Sequence, residues 1–128
     1  MTYAVRLEQF EGPLELLLQL IEKEKLDVTR VSLAAVADQY LEYITHQGEV
    51  PLASLASFLS VASRLLLLKS RALLPLLEFT DDEEESIEDL EWQLREYRKF
   101  RDASIRIGRL FAQNERARLR ESFLGAKI

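Results

Sequence analysis

The chain has 128 residues and combines a high apolar content, 48%, with a high charged content, 30%. Glycine and proline are scarce and cysteine is absent, which favours an all-α protein and excludes disulfides and cysteine-based metal sites. The net charge of −5 hides a segregation, because residues 76–94 carry nine acidic and no basic groups, whereas residues 95–128 carry ten basic and four acidic groups.

The first residues alternate between apolar and polar side chains at Tyr3, Val5 and Leu7, which is typical of an extended segment. No second strand is obvious in the chain, so we expect a short extended arm packed on helices rather than a paired strand. Pro13 suits the first position of a helix, and the apolar spacing that follows predicts a helix near 13–25.

A second helix is predicted from Ser32, a plausible N-cap, to Gly48, a plausible helix end. Pro51 then suits the start of a third helix. The expected core of these helices combines one stripe of the third helix with apolar residues of the first two: Leu14, Leu17, Leu18, Ile21, Val36, Tyr40 and Ile44.

The third helix is predicted over 52–74 and carries two neighbouring apolar stripes at about 100° per residue. One stripe contains Leu52, Leu55, Leu59, Ala62, Leu66 and Leu73, and the other contains Phe58, Val61, Leu65, Leu68 and Ala72. A helix on the surface of a domain needs only one such stripe. We therefore expect the helix to offer part of its surface, where it overhangs its shorter neighbours, to another protein. The pattern does not decide which stripe faces outward.

An acidic run at 81–85 marks a linker or a boundary, and helix is predicted to resume within this run. Thr80 and Glu83 have the spacing of a capping box. Apolar residues at helical spacing then predict a helix from about 82 to 112 or beyond, which either folds back on the bundle or orders on a partner. The expected domains are 1–77 and 78–128.

No motif for catalysis is present. His46 is the only histidine, and it has no companion ligands at metal-binding spacing. The longest apolar runs, such as Leu65–Leu68, are far shorter than the ~20 residues that span a bilayer. We therefore expect no enzyme activity, cofactor, metal site or membrane association.

Three segments carry a family resemblance. They are FEGPLELLLQLIEKEKLDV at 10–28, DQYLEYI at 38–44 and ASFLSVASRLLLLKSRALLP at 56–75, and EYRKF at 96–100 extends the match. Together they resemble the opening of bacterial segregation and condensation protein A, ScpA, a family of kleisins.

This resemblance implies a non-enzymatic subunit of the SMC–ScpA–ScpB complex, which acts in chromosome condensation and segregation. The N-terminal domain of a kleisin docks on the coiled-coil neck of SMC, and the middle region binds a ScpB dimer. We expect the SMC contact at Leu55, Phe58, Leu59, Ala62, Leu65 and Leu66. We expect the ScpB contact at Leu90, Leu94, Tyr97 and Phe100.

The resemblance also implies a cytoplasmic, nucleoid-associated protein that meets DNA only indirectly, through the complex. The winged helix that ends a kleisin is not recognisable, so we expect an N-terminal fragment. An alternative function, favoured by charge alone, is nucleic-acid binding through the basic residues 95–128.

Overall fold

The structure is a computed structural model that describes residues 10–47 and 50–126. All regular secondary structure in these residues is helical, which confirms the predicted all-α class. The helices are α1 (Pro13–Lys23), α2 (Arg30–Glu42), α3 (Leu55–Leu73) and α4 (Asp81–Ala126), with a π-helical turn at Tyr43–Gln47 and a 3-10 turn at Leu52–Ser54. The chain divides into two compact units, Met1–Tyr97 and Arg98–Ile128. The predicted extended arm and the predicted helix end at Gly48 lie outside the described residues.

Helix α1 begins at Pro13, as predicted, and ends in a tight C-terminal turn. The amide of Leu26 donates to the carbonyl of Ile21, and the amide of Lys25 donates to the carbonyl of Glu22, both at 3.0 Å. This pair of bonds is the Schellman motif, which places one residue in the left-handed region. That residue is Lys25, with φ of 57°, although a side chain with a Cβ atom is strained there.

Lys25→Gly is therefore expected to stabilise the protein by about 0.5–1 kcal/mol, because glycine adopts the left-handed conformation without a steric cost. The midpoint of urea unfolding measures this change. Lys23→Gly is the matched control: Lys23 is the last residue of α1 and has a right-handed helical backbone, so glycine there destabilises by up to about 1 kcal/mol. Destabilisation by both substitutions would contradict the role of Lys25 in the turn.

Helix α2 begins one turn earlier than predicted. Its N-cap is Thr29, whose hydroxyl oxygen accepts a bond from the amide of Ser32 at 3.1 Å. The prediction of Ser32 as the N-cap is therefore wrong. Thr29 has the same capping chemistry, and a start at this position lets the first turns bury Ser32 and Leu33.

The core of the first unit lies between α1, α2 and one side of α3. Tyr40 is fully buried there; its hydroxyl donates to the carbonyl of Phe58 at 2.8 Å, and the two rings stack with centroids 6.3 Å apart. Burial raises the pKa of the Tyr40 hydroxyl, which keeps it protonated as a donor. Most of the predicted core is buried, and Leu14 and Ile44 are partly buried against it.

Helix α3 ends at Leu73, just before Pro75, as the missing amide of proline requires. By length and composition alone, the span Leu52–Leu73 could cross a membrane. The uninterrupted apolar runs considered in the sequence are short and so did not identify this span. Three cations interrupt it, at Arg64, Lys69 and Arg71. One side of the helix is also packed in the core. These features favour its role as a helix of the bundle.

Helix α4 begins with the predicted capping box. The Thr80 amide donates to the Glu83 carboxylate at 2.9 Å, and the Glu83 amide donates to the Thr80 hydroxyl at 3.2 Å. Its first turns then bury Ile87, Leu90 and Leu94 in the same core as α1 to α3. The sequence left two alternatives for this segment, which could fold back on the bundle or become ordered on a partner. Residues 81–97 fold back on the bundle. The first compact unit therefore includes residues 81–97 and reaches Tyr97.

Candidate protein-interaction surfaces

A strip of exposed leucines runs along α3. We call Leu55, Leu59, Leu66 and Leu73 the α3 strip. Their side chains are 37–69% exposed. The four positions fall within a sector of about 40° and extend over about 27 Å of helix. The uncovered surface is therefore a line along most of α3, and it is not confined to an overhanging end.

The neighbouring apolar stripe of α3 faces the core. Phe58, Val61, Leu65 and Leu68 are at most 5% exposed, so the stripe that contains them packs against the rest of the first unit. Because of this orientation of α3, only some of the residues expected to contact SMC are exposed. Leu55, Leu59 and Leu66 are exposed, whereas Phe58, Ala62 and Leu65 are buried and are not available at the surface.

One arginine links α2 to the start of α4. Arg30 lies 2.5 Å from Glu84, 3.7 Å from Glu88 and 3.0 Å from Glu91, three residues on one side of α4. Its hydrogen bond with Glu84 is the main cause that raises the pKa of Arg30, and the same bond lowers the pKa of the Glu84 carboxyl. Arg95 adds a bond of 3.3 Å to the carbonyl of Val28. These contacts fix the segment that covers the core.

The second unit exposes another apolar surface. We call Phe100, Ile107, Leu110 and Phe111 the α4 stripe. All four are 64–73% exposed, and they share a sector of about 100° on the helix. A stripe of this kind on an otherwise charged helix is typical of a segment that packs into the groove of a partner.

The polar features of the described residues form no evident catalytic or metal centre. Across residues 10–47 and 50–126, no group of three or more His, Cys, Asp or Glu side chains could hold a metal ion. His46 contacts the hydroxyl of Thr45 at 2.9 Å. An open groove of about 540 Å³ between α1, α3 and α4 is lined by Glu15, Arg64 and Gln93, among others. The structure therefore directs attention to the two apolar surfaces.

Comparison with known proteins identifies the family. The family model described as "Segregation and condensation protein ScpA" matches residues 20–125. The chain belongs to the ScpA family. Its curated relatives include proteins named "Segregation and condensation protein A" from Halothermothrix orenii, Streptococcus mitis and Bacillus licheniformis, which are 39%, 43% and 40% identical to it over 115, 98 and 111 residues.

The three alignments cover 90%, 76% and 81% of this chain, but only 46%, 40% and 44% of the respective relatives. The chain thus spans less than half the length of these ScpA proteins. No solved structure matched the chain.

The residues that the ScpA resemblance suggested for the ScpB contact do not form one surface. Leu90 and Leu94 are fully buried in the core of the first unit, and Tyr97 packs partly buried against it. Phe100 is 73% exposed and belongs to the second unit. Of these residues, Phe100 is thus exposed, whereas Leu90 and Leu94 are not accessible at the surface.

Three residues of the α4 stripe were not among the expected contacts. Ile107, Leu110 and Phe111 continue the spacing of three and four residues that begins at Leu90. The signal in the sequence was the length of this pattern, which extends well beyond the part that the core covers.

Proposed function

We propose that this chain is the N-terminal part of a non-enzymatic kleisin subunit that acts in chromosome segregation and condensation, in the cytoplasm and on the nucleoid. In this proposal, the α3 strip docks on the coiled-coil neck of SMC, and the α4 stripe binds ScpB. Membership in the ScpA family supports the general role. The uncovered leucines of α3 carry the specific mechanism.

The geometry of the α3 strip supports an SMC coiled coil as its partner. Leucines at positions 55, 59, 66 and 73 repeat at intervals of four and seven residues, the spacing by which a helix joins a coiled coil. Ser63 and Ser70 lie beside the strip, and their small side chains allow another helix to approach closely. The exposed leucines are thus suited to a helical partner.

The ScpB contact is proposed on the α4 stripe instead of on Leu90 and Leu94. Binding through the two buried leucines would first require residues 81–97 to leave the core, at a cost of several kcal/mol of lost burial. The α4 stripe needs no such rearrangement, because its side chains are already exposed. Phe100 is the one residue shared by the expected and the revised contact.

A crossed pull-down tests both contacts. Leu59→Glu/Leu66→Glu is expected to weaken binding of an SMC head-plus-neck fragment by more than about 100-fold, because each carboxylate would be buried unpaired in an apolar contact. The same variant should retain ScpB. Ile107→Glu/Phe111→Glu should show the reverse pattern, with loss of ScpB and retention of SMC.

Val31→Glu is the control for an added charge, since Val31 is 79% exposed on α2 and belongs to neither the α3 strip nor the α4 stripe. It should retain both partners. Full SMC binding by the α3 variant would contradict the proposed SMC surface, and full ScpB binding by the α4 variant would contradict the proposed ScpB surface. Circular dichroism of each variant verifies that it remains helical.

A further inference from the structure

The second unit carries a row of arginines on a different side of α4 from the α4 stripe. We call Arg98, Arg106, Arg109, Arg116 and Arg120 the arginine face. At about 100° per residue these five positions lie within a sector of about 80°, and they extend over about 33 Å of helix. The centre of this sector is roughly 130° from the centre of the α4 stripe.

Four of the five side chains of this face are exposed and free to bind a ligand, and Arg98 is partly exposed. Arg106, Arg109, Arg116 and Arg120 are exposed, and no hydrogen bond or ion pair engages them within the described part of the chain. The nearby carboxylates are bound by other arginines: Arg101 contacts Asp102 at 2.9 Å, and Arg118 contacts Glu115 at 3.6 Å.

We propose that the arginine face binds the phosphate backbone of duplex DNA directly. This goes beyond the protein contacts proposed above and does not depend on them. Seven of the eight basic residues in 98–121 are arginines, whose planar guanidinium groups bind phosphate oxygens in pairs. Phosphate contacts need only a row of cations, and they contribute most of sequence-independent DNA binding.

Two other polyanionic partners fit the face less well. A protein partner is disfavoured, because the core of a protein interface is depleted of charge. Besides the arginines, the sector of the arginine face contains only Asp102 and Gln113 and no large apolar side chain. A membrane-surface helix needs a continuous apolar side. The α4 stripe ends at Phe111, and Asn114 and Arg118 follow on the same side, while the arginine face continues to Arg120.

Fluorescence anisotropy of the 128-residue chain with a duplex DNA of arbitrary sequence, between about 20 and 150 mM salt, tests the proposal. Five phosphate contacts predict that log Kd rises with log salt with a slope of about 4 to 5. Arg109→Gln/Arg116→Gln should reduce this slope by about 2, because each lost phosphate contact removes about one unit.

Arg101→Gln/Arg118→Gln is the matched control. It removes the same number of charges from the same helix, but from arginines that lie off the face and contact carboxylates of the chain. This control should leave the slope within about one unit of that of the unchanged chain. Equal losses in the two variants would show that net charge alone causes the binding, and would overturn the proposal.

The choice of polyanion is tested in the same assay. A second duplex of unrelated sequence should bind with the same affinity, since phosphate contacts carry no sequence information. Polyglutamate at the same charge concentration should displace the DNA less effectively than unlabelled duplex does, because duplex DNA has the higher charge density. Absence of DNA binding at the lowest salt concentration, displacement by polyglutamate that is as effective as displacement by unlabelled duplex, or binding to phosphatidylglycerol vesicles without binding to DNA would each overturn the proposal.

Discussion

Leu65→Glu is expected to abolish the cooperative folding of the first unit, whereas Leu66→Glu, at the next position, leaves it folded. Leu65 is fully buried in the core and Leu66 is 49% exposed. Loss of a buried leucine costs about 2–5 kcal/mol, and an unpaired carboxylate in the same place costs several more. The sum is comparable to the whole stability of a small domain, about 5–15 kcal/mol.

Far-UV circular dichroism during urea unfolding measures both variants. Leu66→Glu should unfold cooperatively within about 0.5 kcal/mol of the unchanged chain, as a surface substitution does. Leu65→Met is the control for volume at the buried position and should cost less than about 1.5 kcal/mol. If Leu65→Glu unfolds at the same urea concentration as Leu66→Glu, Leu65 does not lie in the core.

The sequence identified the existence of the helices better than the direction in which they face. Phe58 and Leu65 lie on one stripe of α3, and Leu59 and Leu66 lie on the next. Both stripes have the composition of a core, so periodicity alone could not separate the side that meets α2 from the side that meets solvent. The distinction required tertiary information, such as the bond from Tyr40 to Phe58.

The same limit affected α4. Its apolar spacing is continuous from Ile87 to Phe111, and nothing in this pattern marks where the core stops covering it. The structure shows the change after Leu94, since Leu94 is fully buried and Phe100 is 73% exposed. Sequence patterns that act over a few residues are more informative. The spacing of Thr80 and Glu83 predicts a capping box, and both of its hydrogen bonds are present.

Leu94→Ala is expected to destabilise the first unit by about 2–5 kcal/mol, while Trp92→Ala changes its stability by less than about 0.5 kcal/mol. Leu94 is fully buried in the core shared with α1 to α3, and Trp92 is 60% exposed two residues earlier on the same helix. The difference follows from the packing of residues 81–97 on the bundle. If this segment were instead a free arm, alanine at either position would have a small effect.

Near-UV circular dichroism provides a second readout, because it reports the packing of the aromatic side chains. Tyr40 is buried beside Phe58 and contributes to this signal together with Trp92 and the other tyrosines, so loss of the signal reports disruption of the packed core. In urea unfolding, this signal and the helical far-UV signal should shift together in Leu94→Ala, because one cooperative core contains both Leu94 and Tyr40. A normal near-UV transition in Leu94→Ala would show that Leu94 contributes nothing to this core. The expected ScpB contact at Leu90 and Leu94 would then be open to a partner without any cost in folding.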